Sequence, residues 1–286
     1  MTVWEAILLG AVQGLFMFIP VSSTSHLALV QQALIDRGSS LPPPDSPELI
    51  LFDFIVHVGT LVSIAVVFRH SLWRLSKGLV QDMCSIAKRA NENSKRYIKL
   101  AGLGVLAMTM TGVVGAVILY SGAEEVFSMP EIIALNLVLT GFILWWTDTA
   151  QGQWREPDSI SPLVAVGIGI AQGVALLPGL SRSGLTIAAA LWLGLKRRWA
   201  AEFSFFIAIP TILAGSMVQT WVVASNGEPL LVAPWAFFVG FLVAALVGTA
   251  ALIMVVKLLY KAKFRIFSVY VWVLAALVLS GLFVYY

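Results

Sequence analysis

Six long apolar stretches, at 49–68, 98–120, 130–147, 199–224, 231–256 and 266–286, limit what this chain can fold into more than any other feature. A helix needs about 20 apolar residues to cross the hydrocarbon core of a bilayer. Charged residues make up only 12% of the 286 positions, against about 25% in a soluble globular domain. The expected fold class is therefore an all-α polytopic membrane protein. A single cysteine, Cys84, excludes an intramolecular disulfide. The opening MTVWEAILLG has neither a basic n-region nor a small-residue cleavage site, so no removable signal peptide is expected. A net charge of +3 does not imply nucleic acid, because the cations fall in short loops between apolar runs.

Four shorter apolar pieces remain, at 4–18 and 23–35, then at 163–177 and 185–195. Each is too short to span, and each pair is joined through a polar motif. The first motif is QGLFMFIPVSSTSH, Gln13 to His26, and the second is QGVALLPGLSRSGL, Gln172 to Leu185. Gln13 to Ser22 and Gln172 to Ser181 are both nine residues. Pro20 and Pro178, each followed by polar residues, favour a true helix break. Broken pairs at matching places in two halves are the pattern of re-entrant helices meeting at a midplane site.

The distribution of Lys and Arg sets the topology. Loop 69–99 holds eight, segment 195–199 holds Lys196, Arg197 and Arg198, and loop 257–265 holds four. The positive-inside rule puts all three in the cytoplasm. Loops 121–129 and 225–230 have none and belong outside. Loop 148–162 is forced inside with only Arg155 against Asp148, Glu156 and Asp158, the weakest point of the scheme. Both termini come out on the outer side. One re-entrant pair plus three crossings makes each half, and three is odd, so residues 148–286 repeat 1–147 in inverted orientation. Loop 36–48 is expected to be irregular. Loop 69–99 is long enough for an interfacial basic helix, with charges suited to anionic membrane lipids.

Hydroxyls, a histidine and an arginine at membrane depth are costly unless they line a site. In the first motif Pro20 ends one helix, and Ser22, Ser23 or Thr24 can cap the next. The second motif repeats this with Ser181 and Ser183 around Arg182, and Gly179 and Gly184 permit close backbone approach. Two positive helix starts, several hydroxyls and one guanidinium describe a phosphate site. His26, one turn past Ser22, is placed to move a proton or to attack phosphorus. Asp53 and His57, spaced i, i+4, share a helix face and are expected to support the first motif.

At these residues the chain resembles the undecaprenyl pyrophosphate phosphatase family of the bacitracin-resistance type. The stretches that carry the likeness are EAILLGAVQGL, FIPVSSTSHL, FDFIVHVGTL and PGLSRSGLTIAAALWLG followed by AAEFSFFIAIP. The resemblance implies an inverted-repeat fold and hydrolysis of a polyprenyl diphosphate to the monophosphate, recycling the cell-wall lipid carrier in the bacterial plasma membrane. It implies His26, Ser23 and Arg182 as catalytic residues. Gln13, Ser22, Thr24, Ser181, Ser183 and Gly184 are then substrate-binding, with Met17, Asp53, His57 and Gln172 behind them. The family's first motif carries two acidic positions, filled here by Gln13 and Met17. A family-type divalent cation, Mg²⁺ or Ca²⁺, wants oxygen ligands that the Met17 thioether does not offer. A hydrolysis-impaired polyprenyl-phosphate transporter is the alternative expectation, and pairing of two copies into a homodimer is left open.

Overall fold

A computed structural model describes residues 1–44, 46–87, 95–122, 129–150, 155–156, 159–226 and 232–280. Outside the described residues lie most of the two cation-free loops, Lys88, Arg89 and Asp158, and the last six positions of the sixth expected span. The described residues form eleven helices: α1 (Val3–Phe18), α2 (Ser23–Asp36), α3 (Pro47–Val67), α4 (Arg69–Ala87), α5 (Arg96–Tyr120), α6 (Pro130–Thr147), α7 (Pro162–Val174), α8 (Arg182–Trp192), α9 (Arg197–Asn226), α10 (Pro234–Tyr260) and α11 (Arg265–Leu279).

Four of them are long and apolar enough to cross a membrane: α3, α5, α9 as far as Val218, and α10. The other two expected spans, α6 and α11, are shorter, at 18 and 15 residues. Their starts follow from local chemistry. Thr2 and Glu5 close a capping box on α1, and Ser46 and Ser161 cap α3 and α7 ahead of Pro47 and Pro162. Helix α4 is the amphipathic segment expected in loop 69–99. It exposes Trp73, Val80 and Met83, and it docks through Asp82, which accepts from the Tyr97 and Ile98 N–H groups at the start of α5.

Helix α1 packs on α10, and α10 on α3; likewise α7 packs on α5, and α5 on α9. Helix α2 lies on α1 as α8 lies on α7, while α6 pairs with α11 and α3 with α9. These pairings map onto one another when α1, α2, α3, α5 and α6 are exchanged for α7, α8, α9, α10 and α11, whereas the packing of α8 on α6 and α9, and of α1 on α3, has no counterpart of similar extent. The seams are of one kind. A Cβ on Gly10 would stand 2.6 Å from the Gly240 carbonyl, and one on Gly14 2.7 Å from that of Ala244. In the other half, Gly169 lies against the Ala107 carbonyl and Gly173 against Val114. Without a hydrophobic drive between helices in lipid, such small-residue stripes let backbones close up.

The three cation-rich segments gather at one end. Asp148 accepts from the Phe264 and Arg265 N–H groups, both at 2.9 Å, and Arg197 donates to the Asp148 carbonyl. Lys196 pairs with Glu156, which also accepts from Trp199, and these bonds hold the Glu156 carboxyl below the usual range. Two of the acidic residues that weakened the charge count of loop 148–162, Asp148 and Glu156, are thus a cap for α11 and a partner for Lys196. At the opposite end Ser39 donates to Glu5, and Leu41, Leu49 and Val232 share an apolar cluster with Ala6.

Candidate functional site

The chain between α7 and α8 breaks helical pairing deep in apolar surroundings, and α6 satisfies what it exposes. Asn136 Nδ2 donates to the Pro178 carbonyl at 2.6 Å. Thr140 Oγ1 donates to the Gly179 carbonyl and accepts from the Ser181 N–H, both at 3.2 Å. Irregular backbone at membrane depth is tolerated only where protein completes its hydrogen bonds in this way. Gly179 has φ +86°, and a Cβ there would meet the Ile133 carbonyl at 2.5 Å. Ser181 then caps α8 regularly, its Oγ accepting from the Gly184 N–H.

The chain between α1 and α2 is built otherwise. Ser22 occupies the N-cap position at φ 67°, ψ 90°, and its hydroxyl pairs with Ser25 Oγ at 3.0 Å and caps no N–H. Its carbonyl accepts from His26 Nδ1 at 2.7 Å, while His26 Nε2 meets the Tyr270 hydroxyl at 2.8 Å. The His26 ring stacks on Phe16 with centroids 3.9 Å apart. Ser183 Oγ donates across to the Phe18 carbonyl and links the two breaks.

Between the breaks lies a cavity of about 200 Å³. Its polar lining is Ser22, Ser23, Thr24, His57, Ser181, Arg182, Ser183 and Thr211, with Met17, Phe16 and Phe54 among the apolar residues. Met17 is part of its lining. The thioether sulfur faces Gln13 Nε2 at 3.5 Å, Ser23 Oγ at 3.9 Å and Arg182 Nη2 at 3.3 Å. Three donors converge on an atom that accepts weakly. Arg182 Nη1 is shut from solvent and has no partner. Among the described residues no carboxylate lines the cavity. Asp53 turns toward Gln31, whose Nε2 donates to it at 2.8 Å.

Of the residues expected from sequence, the structure brings Ser22, Ser23, Thr24, Ser181, Arg182, Ser183, Met17 and His57 to this one cavity. Gln13 reaches it only through Met17, and Gly184 lies behind Ser181. His26 and Asp53 are not part of the lining. Gln172 lies behind the cavity, buried, donating to Thr111 and to Thr211, which is part of the lining. Sequence reasoning missed Asn136, Thr140 and Tyr270. Asn136 and Thr140 did carry a signal, two polar residues one turn apart inside an apolar run.

The residues present do not fit a protein-held Mg²⁺ or Ca²⁺. Those ions take oxygen ligands, carboxylates foremost, and here they would meet a thioether, hydroxyls and a guanidinium. Among the described residues no group of three His, Cys, Asp or Glu side chains is placed to hold a metal.

The family model described as bacitracin resistance protein BacA matches residues 6–277. The chain belongs to the BacA family. A family member from Alkalilimnicola ehrlichii, named undecaprenyl-diphosphatase, is 50% identical over 283 residues, covering 99% of this chain and 97% of that one. Another of the same name, from Halorhodospira halophila, is 48% identical over 98% of both chains. A third, from Carboxydothermus hydrogenoformans, is 32% identical over 98% of this chain and 97% of its own. With its apolar helices, this BacA-family chain is a multi-pass membrane protein. The relatives carry a hydrolase name, and nothing in the comparisons supports the transporter alternative.

Proposed function

We propose that the protein is an undecaprenyl-diphosphatase, hydrolysing the lipid diphosphate to the monophosphate and inorganic phosphate in the bacterial plasma membrane. The observation that carries this reading is the buried, unpartnered Nη1 of Arg182 in a cavity without a carboxylate. An uncompensated cation at that depth is strongly unfavourable, and a diphosphate is the anion that compensates it. Arg182 holds phosphate oxygens in a planar fork and stays charged. The starts of α2 and α8 add N–H groups and positive dipole ends. Ser23, Thr24 and Ser183 supply further donors, and the prenyl tail lies among the spanning helices. A water oxygen attacks the terminal phosphorus, the bond to the bridging oxygen breaks, and its electron pair leaves with the lipid monophosphate. No step runs through a metal.

This reading includes six crossings and two re-entrant pairs in two inverted repeats, 1–147 and 148–286, with both termini outside. The corresponding pairs α1–α10 and α7–α5, α1–α2 and α7–α8, and the matched glycine seams support the repeat. The meeting of the cation-rich segments at one end supports the sidedness. The test is phosphate release from a polyprenyl diphosphate by the purified protein in detergent, with and without a chelator. Release in both conditions is expected. No release, beside an active relative assayed in parallel, contradicts the reading.

A further inference from the structure

We infer that His57 is the general base of this site, doing what a carboxylate at position 17 would otherwise do. The inference rests on the phosphatase reading and names the group that activates the attacking water. It starts from hydrogen-bond bookkeeping at the two histidines beside the cavity. His57 Nδ1 lies 2.6 Å from the Asp53 carbonyl oxygen. A carbonyl only accepts, so Nδ1 carries the proton in the neutral ring and Nε2 holds a free lone pair. The ring lines the cavity that holds Met17, Ser23 and Arg182.

Every rival base in reach is excluded by its own contacts. His26 has both nitrogens engaged, Nδ1 on the Ser22 carbonyl and Nε2 on the Tyr270 hydroxyl, with its ring against Phe16. Asp53 accepts from Gln31 on Oδ1 and lies off the lining, behind the His57 ring. Met17 accepts a proton at no ordinary pH. Among the described residues of the lining, Nε2 of His57 is the one nitrogen free to accept.

The step balances simply. As the water oxygen bonds to the terminal phosphorus, one water proton passes to His57 Nε2 and the ring becomes an imidazolium. The bond to the bridging oxygen breaks, and the lipid monophosphate leaves with that electron pair. The imidazolium then returns its proton to the leaving phosphate or to bulk water. Nδ1 keeps its bond to the Asp53 carbonyl throughout and orients the ring. Arg182 stays fully protonated and serves only as the anion clamp.

The test uses two substitutions that keep different halves of the ring. In His57→Asn the amide nitrogen can still donate to the Asp53 carbonyl, so the helix is undisturbed and only the base is lost. In His57→Gln the amide reaches toward the cavity but cannot take a proton. Loss of a general base typically lowers turnover by about 10²–10⁴-fold. The expected result is a fall of that order in kcat for both variants, with KM and binding of polyprenyl monophosphate nearly unchanged. Met17→Glu in the His57→Asn background should restore turnover, because it puts a carboxylate among the donors that now face sulfur. Wild-type turnover that survives both substitutions overturns the assignment and leaves the phosphatase reading standing. So does a kcat loss that Met17→Glu leaves unrepaired and that comes with weakened monophosphate binding, which marks His57 as structural. No release from the wild type removes the phosphatase reading, and the base with it.

Discussion

Ser22 and Ser181 hold the same place in two copies of one motif, nine residues after a glutamine, and do opposite things. Ser181 sits in extended backbone and caps its helix, braced from α6 by Asn136 and Thr140. Ser22 sits in the left-handed region, caps nothing with its hydroxyl, and is held by its carbonyl through His26. The second break is a finished structure carrying a fixed charge. The first is strained, and its opening N–H groups receive no bond from the Ser22 side chain. Backbone outliers of this kind cost about 1–3 kcal/mol and gather at functional sites. On the proposed reading the two motifs divide the labour, the second serving as the anion clamp and the first as the wall facing it.

The clamp gives the largest expected effect. Arg182→Ala should lower kcat/KM for a polyprenyl diphosphate by about 10²–10³-fold, the scale for losing one preorganised donor to a developing charge. Arg182→Lys should rescue little of it, since a point charge lacks the planar fork. An Arg182→Ala enzyme with near-wild-type kcat/KM would break the division between the two copies.

Gly179→Ala comes next. The left-handed backbone alone costs an alanine about 1–2 kcal/mol, and its Cβ would press on the Ile133 carbonyl. The variant should unfold at clearly lower temperature in detergent, followed by helical circular dichroism.

A direct contrast follows at the paired serines. Ser181→Ala should cost about 1 kcal/mol, the usual loss for an N-cap. Ser22→Ala should cost visibly less, and Ser22→Gly should raise the melting temperature by relieving φ 67°. Equal losses at the two serines would show that the breaks are equivalent after all.

The smallest effect is remote from both breaks. Glu156 is held below its ordinary value chiefly by Lys196. Its contribution to stability is therefore present above the unfolded carboxylate range and lost as pH falls through the lowered folded value. Glu156→Gln should melt slightly below the wild type at neutral pH and together with it in strong acid, with both breaks unaffected. Surface pairs are worth little, so a large shift would move the account's weight away from the motifs.

Much of this was legible in the sequence. The pieces expected at 4–18 and 23–35 are α1 and α2 to within two residues, because proline and serine punctuate helices through local backbone chemistry. The donor set of the cavity was legible too, since polar residues at membrane depth have few other uses. Partnership was not. That Tyr270 engages His26, 244 residues away, or that Asn136 completes the Pro178 carbonyl, depends on which helices lie side by side. No spacing within one segment reports that. The proposed choice of His57 over His26 as the base has the same origin, because a lone pair is free only if no distant residue takes it.

The central claim is that Arg182 and two apposed helix starts receive the phosphates. A structure of the protein with polyprenyl monophosphate bound in nanodiscs tests it most directly. The account predicts the phosphorus within contact distance of Arg182 Nη1, with oxygens on Ser23, Thr24 and the opening N–H groups of α2. A phosphate bound instead in the groove of Arg74, Arg96 and Trp199 at the cation-rich end, with Arg182 still facing Met17, would contradict it.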